Sequence, residues 1–141
     1  MKIKVSEATP SQLDWLVAKC EGIAVAYHDD GITCCIMKSD GRNGYAGRYN
    51  PSTDWSRGSP LIEREEIDVI RCNDLYFPKG NEKGDHYEQY WKSGIRQTGL
   101  PPGVKGSYTT YGPTPLISAM RCYVASKLGS EAEVPESIIE S

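Results

Sequence analysis

Apolar positions along this chain follow two different spacings. In MKIKVS, Ile3 and Val5 alternate with charged and polar residues, the pattern of a half-buried strand. In TPSQLDWLVAKCEG the spacing lengthens, and Leu13, Leu16, Val17 and Cys20 fall on one stripe of a helix. Its ends are marked as well. Thr9 can cap, Pro10 suits the first helical position, Gln12 stands at capping-box distance, and Gly22 can stop the helix in a left-handed conformation.

Two β-rich runs, IAVAYH (23–28) and ITCCIMK (32–38), flank Asp-Asp-Gly and predict a hairpin. The following stretch, SDGRNGYAGRYNPSTDWSRGSP, holds four glycines and two prolines in 22 residues and predicts loop. IDVIRC resumes as a strand, while HYEQYWK fits either a strand or one helical turn. The clearest element is TPLISAMRCYVASKLG (114–129). There Leu116, Ile117, Met120, Tyr123, Val124 and Leu128 recur at helical spacing between Thr114 and Gly129. The acidic end, SEAEVPESIIES, reads as an extended tail.

The order strand, helix, hairpin, strand, strand, helix predicts an α+β fold in a single domain spanning 1–141. Its mainly antiparallel sheet would have about five strands, with two helices on one face. Residues 73–106 form a Gly/Lys-rich insertion in this reading, and 130–141 the acidic tail. A chain of 141 residues is long enough to bury a real core.

Charge narrows the function classes. With 16 basic against 19 acidic residues the net charge is −3, which disfavours direct nucleic-acid binding. No apolar run reaches the roughly 20 residues of a membrane span, and the start of the chain lacks a signal-peptide pattern, so a cytoplasmic protein is expected. Five cysteines without Cys-x-x-Cys spacing read as reduced thiols, and strand alternation would turn the adjacent Cys34 and Cys35 to opposite faces. His28 and His86 follow no metal-ligand spacing, and no nucleophile elbow, phosphate loop or dinucleotide fingerprint is present. No catalytic residue, metal or cofactor is therefore assigned.

Two stretches carry candidate binding chemistry. In YNPSTDWSR, Tyr49 and Trp55 offer stacking surfaces, Ser52, Thr53 and Asp54 offer hydrogen bonds, and Arg57 offers a partner for phosphate or carboxylate. Arg64 follows within IEREEI, which reads as extended chain. In YTTYGPTPLI, Tyr111 can stack, Gly112 permits close approach to the backbone, and Thr114 opens a helix whose free N–H groups attract anions. Arg121, inside that helix, requires an acidic partner such as Asp54 or Glu63, or a ligand phosphate.

YNPSTDWSRGSPLIERE, YGPTPLISAMRCYVASKLGSEAEVP and the opening MKIKVSE together resemble the NinX family of small tailed-phage proteins. The resemblance implies a phage or prophage origin and a bacterial host cytoplasm, and it implies no particular activity. Ser59 in WSRGSP departs from the family pattern, where a second glycine is usual. Both stretches singled out on chemical grounds fall within the family-like blocks, so they are expected to meet and form a pocket for a nucleotide-like ligand. Binding without turnover is the simplest use of such a pocket, for instance to sequester a host antiviral signalling nucleotide. The alternatives are a protein-interaction module using HYEQYW, and a hydrolase holding a divalent ion with Asp54, Glu63 and Glu65. A homodimer or higher homo-oligomer is expected from exposed strand edges.

Overall fold

The computed structural model describes residues 1–27, 34–37, 45–72, 90–96, 107–136 and 138. Helix α1 (Pro10–Glu21) opens as its spacing requires: Gln12 N–H donates to Thr9 Oγ1 at 3.5 Å and Thr9 N–H donates to Gln12 Oε1 at 3.0 Å. It closes at Gly22, whose φ of 71° is a left-handed conformation open to glycine at little cost. Leu13, Leu16 and Val17 are buried along its inner face.

Helix α2 (Trp55–Arg64) stands where the sequence predicts loop and then extended chain. Asp54 caps it, accepting from Ser56 N–H at 3.0 Å and from the Ser56 hydroxyl at 2.8 Å. Pro60 lies inside this helix on its exposed side. Helix α3 (Pro115–Leu128) follows the sequence reading, with Thr114 Oγ1 accepting from Ile117 N–H at 3.1 Å. It is the central element, and Leu116, Ile117, Ala119, Met120, Cys122, Tyr123 and Val124 are all buried.

Among the described residues, the strands form three small antiparallel sheets rather than one of five strands. Strand β1 (Lys2–Lys4) pairs with β8 (Glu131–Glu133), so part of the acidic tail is a strand that closes the chain on itself. Strands β2 (Val25–Tyr27) and β3 (Cys34–Met37) pair as the expected hairpin, whose turn lies outside the described residues. Both Cys34 and Cys35 are buried. Strand β4 (Tyr45–Arg48), drawn from the Gly-rich stretch, extends the hairpin to three strands, with an irregular register at Ile36/Met37.

Strands β5 (Asp68–Cys72), β6 (Tyr90–Arg96) and β7 (Ser107–Gly112) make the third sheet. This resolves the YWK part of HYEQYWK as strand; His86, Tyr87, Glu88 and Gln89 lie outside the described residues. The fold is thus α+β, with a third helix and more numerous, shorter strands than the hydrophobic pattern suggests.

Helix α3 packs on β6 and β7 and against α1. Small polar residues allow the close approach to the sheet. Ser118 Oγ lies 2.7 Å from Ser93 Oγ, and Thr110 Oγ1 donates to Ser118 O at 2.8 Å. A Cβ on Gly112 would stand 2.8 Å from Ser118 N, so only glycine fits there.

Candidate functional site

The segment joining β4 to α2 is fixed from beneath. Ser52 is buried, and its N–H and hydroxyl both donate to Asp14 Oδ1 on α1, at 3.0 and 2.7 Å. The same hydroxyl lies 3.2 Å from Pro10 O. Asn50 O then accepts from Thr53 N–H at 3.1 Å and Asp54 N–H at 2.9 Å, which folds residues 50–54 into a tight turn leading into α2. Burial pushes the Asp14 carboxyl up to about 7, while the two bonds from Ser52 pull the other way.

Above this turn, Arg48, Asn50, Asp54, Ser56 and Arg57 line a polar depression of about 580 Å³, wide open to solvent. Trp55, next to the lining residues in the chain, is 54% exposed, so its indole is available to a ligand. Arg57 is held by what lies under it: its guanidinium carbon sits 5.9 Å from the Tyr49 ring centroid, a cation–π distance. Tyr49 itself is only 4% exposed. Its ring supports Arg57 from the core and does not offer a face to a ligand. Burial and the neighbouring Glu21 push the Tyr49 phenol up to about 12.

The remaining sequence-predicted residues are engaged elsewhere. Ser52 faces inward to Asp14, while exposed Thr53 bonds within its own turn, Thr53 Oγ1 lying 3.5 Å from Asn50 O. Thr114 is spent as the α3 cap and Gly112 is packed under Ser118. Tyr111 is half-buried, and its carbonyl accepts from Arg121 Nη1 at 2.8 Å. Arg121 also donates to Ala8 O, through Nη2 at 3.0 Å and Nε at 3.3 Å. These backbone carbonyls stand where the sequence reading sought Asp54, Glu63 or a phosphate.

Arg64 belongs to a clamp at the C-terminal ends of the three helices. It donates to both Glu21 carboxylate oxygens, at 2.7 and 2.8 Å, and to Glu65 at 3.1 Å. Lys127 pairs with Glu65 at 3.3 Å, and the Tyr123 hydroxyl donates to Glu21 at 2.6 Å. Arg64 holds the Glu21 carboxyl below its ordinary range; burial and then Glu21 push the Tyr123 phenol upward.

The two family-like blocks do meet, by direct packing. A Cβ on Gly58 would stand 2.5 Å from Pro51 O and 2.6 Å from Leu116 Cδ2, so the junction of α2 with α3 is already filled. The depression is lined by the first block and by Arg48 just before it. Asp54 and Arg57 of the sequence-predicted set are in that lining, Trp55 is not, and Arg48, Asn50 and Ser56 were missed. For Ser56 a signal exists. Asp54-x-Ser56 is an N-cap pattern, and recognising it places Asp54 and Arg57 on one face three residues apart.

Among the described residues, no group of three or more His, Cys, Asp or Glu side chains could hold a metal ion, and no helix is long and apolar enough to cross a membrane. The five cysteines carry thiols rather than disulfides. Fold and site together define a small α+β domain with an open surface depression lined by two arginines and one aspartate. The chain belongs to the family described as Bacteriophage P22, NinX, which it matches over residues 4–127. Among solved structures it is similar to a phage protein from Bacillus cereus ATCC 14579, at 19% identity and a TM-score of 0.49, covering 84% of this chain and 87% of that one. No curated protein matches it.

Proposed function

We propose that this phage-family protein binds a small nucleotide-like ligand at the α2 depression without turning it over. The observation that carries the reading is the convergence of Arg48 and Arg57 on one open concavity, with an exposed Trp55 lying in the chain between the lining residues Asp54 and Ser56. Two guanidinium groups suit the oxygens of a phosphate or diphosphate, which they can grip in a bidentate manner. The Trp55 ring offers a platform for a base, and Asn50 and Ser56 offer polar contacts. Asp54 has one carboxylate oxygen engaged as a helix cap and keeps its negative charge, so the two arginines leave the lining with one net positive charge, enough to prefer an anion. For a phage protein, the use we propose is sequestration of a host antiviral signalling nucleotide. The strands at the sheet margins, β2, β4, β5 and β7, have one partner each among the described residues, and a homodimer is part of this proposal.

Thermal denaturation against cyclic mononucleotides, cyclic dinucleotides and ADP-ribose tests it. A ligand at 100 times its dissociation constant adds about 2.7 kcal/mol of stability. Binding should quench Trp55 fluorescence, and Arg48→Ala or Arg57→Ala should each weaken it roughly 10-fold or more, the worth of a charge-assisted hydrogen bond. Native mass spectrometry should return the nucleotide at its intact mass. A silent panel together with one stoichiometric host protein in a pull-down would replace this reading with that of a protein-interaction module.

A further inference from the structure

Asp14 is a buried acid on α1, away from the residues that line the depression, yet it holds the turn that presents two of them. We infer that Asp14 is a positioning residue for the depression, acting through Ser52 as a proton-sensitive latch on the turn that carries Asn50 and Asp54. The geometry provides two arrangements. With Asp14 ionised, the Ser52 hydroxyl donates across 2.7 Å to Oδ1. With Asp14 protonated, the carboxyl proton is donated to Ser52 Oγ, and the serine hydroxyl turns to Pro10 O, already 3.2 Å away. Every donor stays paired in both states, and the first binds the turn more tightly because its acceptor is charged.

The surroundings leave this carboxyl to respond to pH. On the turn side it faces Ser52, and its charge acts on the Tyr49 phenol, which also feels Glu21 from α1, Arg57 from α2 and Cys34 from β3. Arg121, on α3, donates to the carbonyls of Ala8 and Tyr111. Burial raises the Asp14 carboxyl to about 7, so both arrangements are populated near neutral pH.

The latch itself does not depend on the ligand-binding reading; only its effect on affinity does. The test is a pH titration from 5 to 9 by NMR, following the Asp14 carboxyl carbon and the amides of Ser52, Thr53 and Asp54. A shared midpoint near neutral is expected. Asp14→Asn should abolish it while the rest of the spectrum is retained. Ser52→Ala should move it upward, since it removes a donor that favours the ionised form; this second variant decides the matter if the first does not fold. Flat amide shifts, a midpoint that survives Asp14→Asn, or a midpoint that Ser52→Ala leaves in place would overturn the latch. ADP-ribose, whose diphosphate keeps its charge over this range, serves as the binding probe and should bind several-fold more tightly at pH 8, where the ionised carboxylate holds the turn firmly, than at pH 6. Binding that ignores pH would overturn the coupling. If no nucleotide binds while the amides still titrate, the ligand reading fails and the latch stands.

Discussion

An arginine within an apolar helix must have its N–H fork answered, and backbone carbonyls can take that part in place of a carboxylate. Arg121 spans Ala8 O and Tyr111 O, tying α3 at once to the entry of α1 and to β7. Lysine lacks the planar fork to reach both. Arg121→Lys should therefore cost about 2 kcal/mol, read as a lower urea midpoint at unchanged slope. Asp14 gives the opposite kind of prediction. Its carboxyl rises from 3.8 to about 7 on folding, so between those values the folded protein keeps a proton that the unfolded chain has released. Stability from this group is full below about pH 4 and declines as pH rises to 7, by on the order of 4 kcal/mol. Glu21, lowered by Arg64, works in reverse: its contribution is present above its ordinary range and is lost in acid. Urea melts from pH 4 to 8 should show Asp14→Asn removing the decline toward neutrality. Neither partner choice was legible in the sequence, because residue type fixes the need for a partner, and only the tertiary approach of distant backbone supplies one.

Helix α2 is the helix that sequence reading missed, and the cause is physical. Gly58, Ser59 and Pro60 lower helix propensity in its middle, which hides Trp55, Leu61 and Ile62 at helical spacing. Its glycine is there for packing: the position faces the Pro51 carbonyl and Leu116 with no room for a methyl group. Gly58→Ala gains about 1 kcal/mol of helix propensity and meets a backbone oxygen that cannot yield, so a net loss of about 1–3 kcal/mol is expected. Pro60→Ala, on the exposed face of the same helix, should instead stabilise by about 1 kcal/mol, since it restores a backbone donor. Opposite shifts in melting temperature for these neighbouring substitutions would check the account. The flanking helices were legible because their caps are local. Thr9 with Gln12, Thr114 with Ile117, and Gly22 all do their work within a few residues. Strands β4 and β8 are too short to show a period and β7, with its tyrosines, threonines, serine and glycine, shows no apolar alternation, so all three owe their state to a partner strand. The same holds for the depression. Its Asp54 and Arg57 were found as chemistry, but Arg48 enters only because β4 ends beside the turn.

At the scale of the molecule, the three helix ends and the two chain ends are fastened separately. The clamp of Glu21, Arg64, Glu65, Tyr123 and Lys127 gathers the C-terminal ends of α1, α2 and α3. The chain ends are joined by β1 with β8, by Val5 N–H donating to Ser130 O at 2.9 Å, and by Ala132, Val134 and Ile138 packed into the core. Removing residues after Gly129 takes away this second fastening and leaves the first untouched. Burial of a valine, an isoleucine and an alanine is worth on the order of 4 kcal/mol, a large share of the roughly 5–15 kcal/mol that holds a domain together. The truncated chain should therefore melt well below the full chain. In hydrogen exchange it should lose protection at Ile3 and Val5, while Leu16 and Val17 of α1 remain protected. Equal loss along the whole chain would show that the two fastenings form one cooperative unit, with β8 holding the arginine-lined turn as firmly as Asp14 does.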